Sequence, residues 1–183
     1  MLKFFTIAAV LDANAVKTSD LYDVSKPITI GKYKIQDFHR SEIPKTTVRD
    51  ILVKSSNISI VKIAAKLGIK KQVEYLKNIK LFSLLKIEIP EKSTPITPDK
   101  WGESTLITAP CGYGTAVAPI HLVQIAATLI NNGIFHNSTL ILNKKSIGEQ
   151  IITSSTSKEV RKLLRAAVTD GTGRRASIKV YLI

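Results

Sequence analysis

Apolar residues in this chain recur at intervals of three and four, cut into segments by glycine and proline, and that helical period outweighs every other pattern in it. Phe4, Ile7, Ala8 and Leu11 make the first stripe. Thr47 to Lys54 reads as a short helix ending at Ser55-Ser56-Asn57, small polar residues suited to a turn and a following N-cap. Ile58 to Leu67 forms the next helix, with Gly68 expected beyond its end in the left-handed conformation. Lys70 to Ile79 repeats the pattern with Val73, Leu76 and Ile79. Between Pro119, suited to a first helical position, and Gly133, suited to an end, Leu122, Ile125, Ala126, Leu129 and Ile130 form one stripe expected to face the core. The last helix is expected to open on Thr156 and Glu159 as a capping box. It then places Val160, Leu163, Leu164, Ala167 and Val168 on one face and stops at Asp170-Gly171-Thr172-Gly173.

Strand signals are sparse by comparison. Residues 19 to 50 are polar and mixed, broken by Pro27, Gly31 and Pro44, and leave room only for short strands at Ile28 to Ile30 and Tyr33 to Ile35. Thr139 to Leu142 and Lys179 to Ile183 are weak candidates. Lys86 to Trp101 carries Pro90, Pro95 and Pro98, which remove backbone donors, so an ordered surface loop is expected there. The expected class is mostly α, with about six helices and no internal repeat.

At 183 residues the chain is long enough for one domain or part of one, and core size alone demands no metal or disulfide. Cys111 is the single cysteine, and His39, His121 and His136 are far apart in sequence, so neither a disulfide nor a metal or other cofactor is expected. The net charge of +13 is diffuse, with +8 in residues 1 to 100 and +5 in residues 101 to 183. Lys62, Lys66, Lys70 and Lys71 interleave with apolar residues as a solvated helix face would, without an aromatic platform, so no nucleic-acid partner is expected. No stretch reaches the roughly 18 apolar residues of a membrane span. Met1-Leu2-Lys3, the apolar run Phe4 to Leu11 and Ala13-Asn14-Ala15 imitate a secretory signal. The run is short and Asp12 follows it directly, so a helix is the preferred reading.

Three short motifs are open to chemistry. Asp170-Gly171-Thr172-Gly173-Arg174 has the glycines of a phosphate cradle, yet they follow a helix instead of opening one, and a helix stop is the simpler reading. Gly112-Tyr113-Gly114 is either a substrate-facing turn or a tight backbone path into the next helix. Ser55-Ser56-Asn57 has the form S-x-N, and taken alone is a cap.

Together with Lys3-Phe4-Phe5-Thr6-Ile7-Ala8-Ala9, and with Pro119 through Gly133, these motifs resemble the transpeptidase domain of penicillin-binding proteins in order and spacing. The nearest likeness is to the class B group, the monofunctional D,D-transpeptidases of cell division and elongation, over residues 1–183. That family acylates a serine on an S-x-x-K motif, with S-x-N and K-T-G completing the site. The resemblance implies that Lys3 is the lysine of S-x-x-K and acts as a general base when neutral. It implies that Ser55 relays protons toward the leaving amine and that Asn57 holds the substrate amide. It also implies the penicillin-binding protein and serine β-lactamase-like fold, of which this chain is expected to be the helical part, with most of the central antiparallel sheet missing.

The departures carry their own expectations. The S-x-x-K serine falls one position before Met1, and Lys179 to Ile183 resembles the segment just before the K-T-G strand. Smaller departures are Phe4, Pro110-Cys111, and Ala118 where a capping threonine is usual. The chain alone is therefore expected to be a partial transpeptidase domain, non-catalytic and not acylated by β-lactams, with apolar stripes open to water and marginal stability. The partners implied are the peptidoglycan stem peptide and β-lactams for the full-length family, and complementing transpeptidase pieces for this chain. A small cationic binding protein is the remaining alternative. The parent family works at the cytoplasmic membrane facing the periplasm. This chain, read as written, carries no anchor and is expected in the cytoplasm.

Overall fold

The computed structural model describes residues 2–31, 33–38 and 44–178. Helix α1 (Leu2–Asp12) buries Phe5, Thr6, Ile7, Ala8, Ala9 and Val10 in an unbroken run, so it has neighbours on every side and no solvent face along its middle. The stripe of Phe4, Ile7, Ala8 and Leu11 thus understates its burial, and the N-terminal run is a core helix. Ile7 and Val10 belong to one apolar cluster with Val48, Ile51, Ile60, Ile63 and Leu163. Phe5 and Ala8 belong to a second with Ile79, Leu81, Ile125, Leu129, Ile152 and Val160. The two halves of the molecule meet along α1.

Helices α2 (Val48–Lys54), α3 (Asn57–Leu67) and α4 (Ile69–Asn78) follow the expected segments closely. Thr47 caps α2 in a reciprocal box with Asp50, which satisfies two of the amide donors orphaned at that end. Gly68 joins α3 to α4 at φ 77°, ψ 161°. Its φ is positive as expected, but ψ is extended instead of left-handed helical, a region open essentially to glycine alone. The loop from Lys86 to Trp101 is irregular as expected, apart from a single antiparallel bridge between Ile96 and Ala116. Helix α5 (Glu103–Thr108), too short to show a period, was not legible in the sequence, nor was the 3-10 turn Ala109–Cys111 that continues it.

Helix α6 (Pro119–Ile130) starts at the expected proline from an Ala118 that makes no side-chain cap, but it is rotated from its expected face. The buried residues are His121, Gln124, Ile125, Thr128 and Leu129, while Ala126 and Ile130 are exposed. Ile125 and Leu129 belong to both stripes, and hydrogen bonds admit the polar residues of the inner one. The His121 ring bonds the Ser83 carbonyl through Nε2 at 3.0 Å, Gln124 donates to the His136 carbonyl at 3.0 Å, and the Thr128 hydroxyl to the Gln124 carbonyl at 2.9 Å. The outer face, with Val123 66% exposed and Ile130 46%, is left apolar and open.

Helix α7 (Ser154–Asp170) begins earlier than expected: its N-cap is Thr153, not Thr156, and the Thr153 hydroxyl accepts from the Thr156 amide. Asp12 at the end of α1 in turn accepts from the Thr153 amide and hydroxyl at 3.0 and 2.9 Å, tying the two helices end to end. Thr156 faces inward with Ser157, Val160, Leu163, Ala166 and Ala167, while Leu164 and Val168 are half-buried at the edge of that face. Asp170 to Gly173 is a helix stop. A Cβ on Gly171 would sit 2.5 Å from the Val53 carbonyl oxygen, and the Thr172 amide donates to that oxygen at 3.1 Å.

Strands are short and antiparallel. β1 (Leu21–Asp23) pairs with β4 (Lys45–Thr47), with Tyr22 opposite Thr46, and β2 (Ile28–Ile30) and β3 (Tyr33–Ile35), the two short strands expected, pair with each other. β5 (Ile134–Phe135) pairs with β6 (Glu149–Gln150). Thr139 to Leu142 is not a strand. It is a loop pinned by Glu88, whose carboxylate accepts from Thr139 Oγ1, the Leu140 amide at 2.9 Å and Lys144 Nζ at 3.0 Å, so its backbone is held by a side chain and not by a ladder. The candidate strand Lys179 to Ile183, and His39, lie outside the described residues. Among the described residues no helix is long and apolar enough to cross a membrane.

Gly171→Ala should cost about 1–3 kcal/mol in chemical denaturation, because the Cβ meets backbone that cannot swing aside. Glu88 is held down to about 2 by its hydrogen bonds from Thr139, Leu140 and Lys144. A depressed carboxylate contributes above its ordinary range and loses that contribution as pH falls through its folded value. The Leu140 amide should therefore keep its exchange protection at pH 3 and lose it near pH 2, and Glu88→Gln should expose it already at neutral pH.

Candidate functional site

The two ends of the sequence motif meet at a corner. Helix α2 stops at Ser55, whose φ of 56° and ψ of 39° are left-handed, and the Ser56 amide reaches back to the Ile51 carbonyl at 3.1 Å, closing the helix as a Schellman turn does. Ser56 then caps α3, its hydroxyl accepting from the Ser59 amide at 3.1 Å. The chain thus reverses within two residues. A left-handed conformation costs an L-residue about 1–2 kcal/mol, and glycine would relieve it at once. Serine at this position is therefore there for something other than backbone comfort.

Lys3, on the first turn of α1, supplies the reason. Its Nζ donates to the Ser55 carbonyl and lies 3.0 Å from Ser55 Oγ. The lysine is half-buried and the serine exposed, so the pair sits at the edge of the core with one side open to water. Desolvation pulls the Lys3 ammonium below its ordinary value, and electrostatic interaction with Cys111 and Asp37 pushes it partly back. Cys111, half-buried beside Lys3, has its thiol pushed up by burial, against the pull of the Lys3 charge. A lysine with a lowered pKa, in hydrogen-bond reach of a strained serine, has the geometry of a proton-transfer pair.

Asn57, the third residue singled out by sequence, opens α3 one helical step beyond the corner. Its side-chain amide donates to the Gln36 carbonyl at 3.1 Å. Sequence reasoning missed Asp37, which is placed next to it by the segment following β3. The Asp37 carboxylate accepts from the Asn57 amide, from the Ile58 amide at 3.0 Å and from the Ser56 hydroxyl at 2.8 Å. No local signal points to it, because its partners lie 19 to 21 residues away. Gly112-Tyr113-Gly114, open to two readings in the sequence, is a tight exposed turn beyond Cys111. Gly112 lies at φ 100° and Gly114 at φ 79°, and the Tyr113 ring projects into solvent. The structure therefore brings Lys3, Ser55 and Asn57 into one neighbourhood with Asp37 and Cys111.

The comparisons with known proteins bear on this arrangement as a whole. The family model described as "Penicillin binding protein transpeptidase domain" matches residues 1–182. The chain is 29% identical over 174 residues to "Probable peptidoglycan D,D-transpeptidase FtsI" of Caulobacter vibrioides, covering 93% of this chain and 29% of that protein. It is 25% identical over 198 residues to "Stage V sporulation protein D" of Bacillus subtilis, covering 99% of this chain and 30% of that protein. The chain thus spans about a third or less of the length of these relatives. Among solved structures, a peptidoglycan glycosyltransferase from Burkholderia ambifaria superimposes with a TM-score of 0.89 at 25% identity, over 98% of this chain and 58% of that one. The transpeptidase domain of Burkholderia pseudomallei penicillin-binding protein 3 superimposes with a TM-score of 0.88 at 24% identity, over 98% and 56%, and shares its fold. A mostly helical partial domain, a lysine and a serine joined at a left-handed corner, and a family match from end to end agree: the chain belongs to the penicillin-binding protein transpeptidase family.

Proposed function

We propose that residues 1–183 are the portion of a peptidoglycan D,D-transpeptidase domain that runs from the lysine of S-x-x-K to just before the K-T-G strand. The observation that carries this reading is the contact of Lys3 Nζ with Ser55 Oγ at 3.0 Å, made by a serine in a conformation that glycine would adopt more cheaply. In this reading Lys3, losing its proton more readily than an exposed lysine, takes the proton of a serine nucleophile one helical turn before it. Ser55 passes that proton on to the leaving amine, and Asn57 holds the amide of the stem peptide or of a β-lactam. No metal or organic cofactor enters the scheme. The stem peptide lies outside the cytoplasmic membrane, which is where the reading places the completed site.

In this reading the nucleophilic serine and the K-T-G strand complete the site from outside residues 1–183. A second reading, that separate polypeptides supply those pieces, is favoured by the outer face of α6. There Val123, Ala126, Ala127 and Ile130 are apolar and exposed, an uncovered surface of the kind that partners occupy.

Fluorescent penicillin tests the first reading. The 183-residue chain alone should show no mass increase after incubation with the label, whereas the same residues joined to a serine three positions before Lys3 and to a K-T-G strand should be acylated. Lys3→Met and Ser55→Ala in that joined protein should each slow acylation about 10²–10⁴-fold, the usual worth of a positioned proton carrier. The rate should rise with pH through a transition below the ordinary lysine value of 10.5, since the base must be neutral. Label on the 20.1 kDa chain itself would overturn the assignment of the nucleophile.

A further inference from the structure

The start of α3 carries more acceptors than a helix start needs. Ser56 already provides an N-cap, its hydroxyl receiving the Ser59 amide at 3.1 Å. Asp37 is added to it from 20 residues away in sequence, with Oδ1 receiving the Asn57 and Ile58 amides and Oδ2 receiving the Ser56 hydroxyl at 2.8 Å. Its neighbour Gln36 receives the Asn57 side-chain amide at 3.1 Å. One dipeptide thus holds the backbone of Asn57, the side chain of Asn57 and the side chain of Ser56. A local cap satisfies a helix end but leaves it free to tilt; a carboxylate brought from a separate segment fixes the end relative to the rest of the molecule. The titratable groups near Lys3 are Asp37, from the segment after β3, and Cys111, from the turn after α5, while Ser55 faces it from the corner.

We propose that Asp37 is a positioning residue of this site: its carboxylate fixes Ser56 and Asn57 against the Ser55 corner, beside Lys3. The proposal rests on the transpeptidase reading for the roles of Lys3 and Asn57, while its geometry stands without that reading. Oδ1 and Oδ2 are occupied by donors from the S-x-N segment, and the carboxylate they belong to partly opposes the desolvation that lowers Lys3. An aspartate here aligns the S-x-N residues while tempering the ease with which Lys3 gives up its proton.

The test uses the full 183-residue chain and two readouts that need no acylation. These are the Lys3 side-chain titration, followed by the ¹³Cε shift and assigned by its loss in Lys3→Arg, and the exchange rates of the Asn57 and Ile58 amides. In Asp37→Asn, which keeps an oxygen acceptor and loses the charge, Lys3 should titrate at lower pH than in the parent. In Asp37→Ala the titration should move the same way, and exchange at both amides should rise about tenfold, the equivalent of one lost hydrogen bond. Asp50→Asn, which weakens the separate cap of α2, should leave the Lys3 titration where it was, because loss of stability by itself does not move it. A Lys3 titration unmoved in both Asp37 variants, or unchanged exchange in Asp37→Ala, overturns the proposal. Should either variant fail to fold, the parent decides: the Asn57 and Ile58 amides must be protected from exchange and shifted downfield, as amides bonded to a carboxylate are, and the absence of either overturns the proposal equally. Failure of penicillin labelling in the joined protein moves none of these readouts, so the two readings fail separately.

Discussion

Burial of α1 on every side is the constraint from which the rest of the molecule follows. A helix with a solvent face can tilt or slide along its neighbours, but six consecutive buried residues leave α1 no such freedom. Its two flanks seed the two apolar clusters, Ile7 and Val10 on one and Phe5 and Ala8 on the other. Asp12 ties its far end to Thr153 at the start of α7. With the axis so fixed, Lys3 on its first turn is set in place by the core, although its own side chain is only half-buried.

The opposite half of the site is fixed by a different device. The corner between α2 and α3 is made by backbone geometry, a left-handed Ser55 closing one helix and a Ser56 cap opening the next. A rigid helix on one side and a tight corner on the other bring two polar groups together with little rotamer freedom left to lose, which is what proton transfer between them demands. Strain at Ser55 and desolvation at Lys3 are both unfavourable to stability. They persist because the clusters around α1 and α3 hold both residues in place from behind.

Polar side chains elsewhere do structural work that apolar burial cannot. Glu88 holds a loop in place of a strand ladder, and His121, Gln124 and Thr128 line the inner face of α6 because each finds a carbonyl. For Glu88, His121 and Gln124 a hydrogen bond to the backbone of another segment decides which way an element faces, and hydrophobicity alone would have chosen otherwise; Thr128 is satisfied within its own helix. The rotation of α6 leaves its aliphatic outer face uncovered.

Period, punctuation and motif order were enough to place α1, α2, α3, α4 and α7, the short strands β2 and β3 and the irregular stretch from Lys86 to Trp101, because those depend on residues close in sequence. The same information singled out Lys3, Ser55 and Asn57, through the spacing that the family resemblance attaches to them. The sequence alone did not determine which stripe of α6 turns inward, that Thr153 and not Thr156 opens α7, or that the loop at Thr139 is no strand. Nor could it reveal that Asp37 completes the start of α3. Each of these is settled by a partner tens of residues away, and a side chain's hydrogen-bonding need is visible in sequence while the group that meets it is brought there only by the fold.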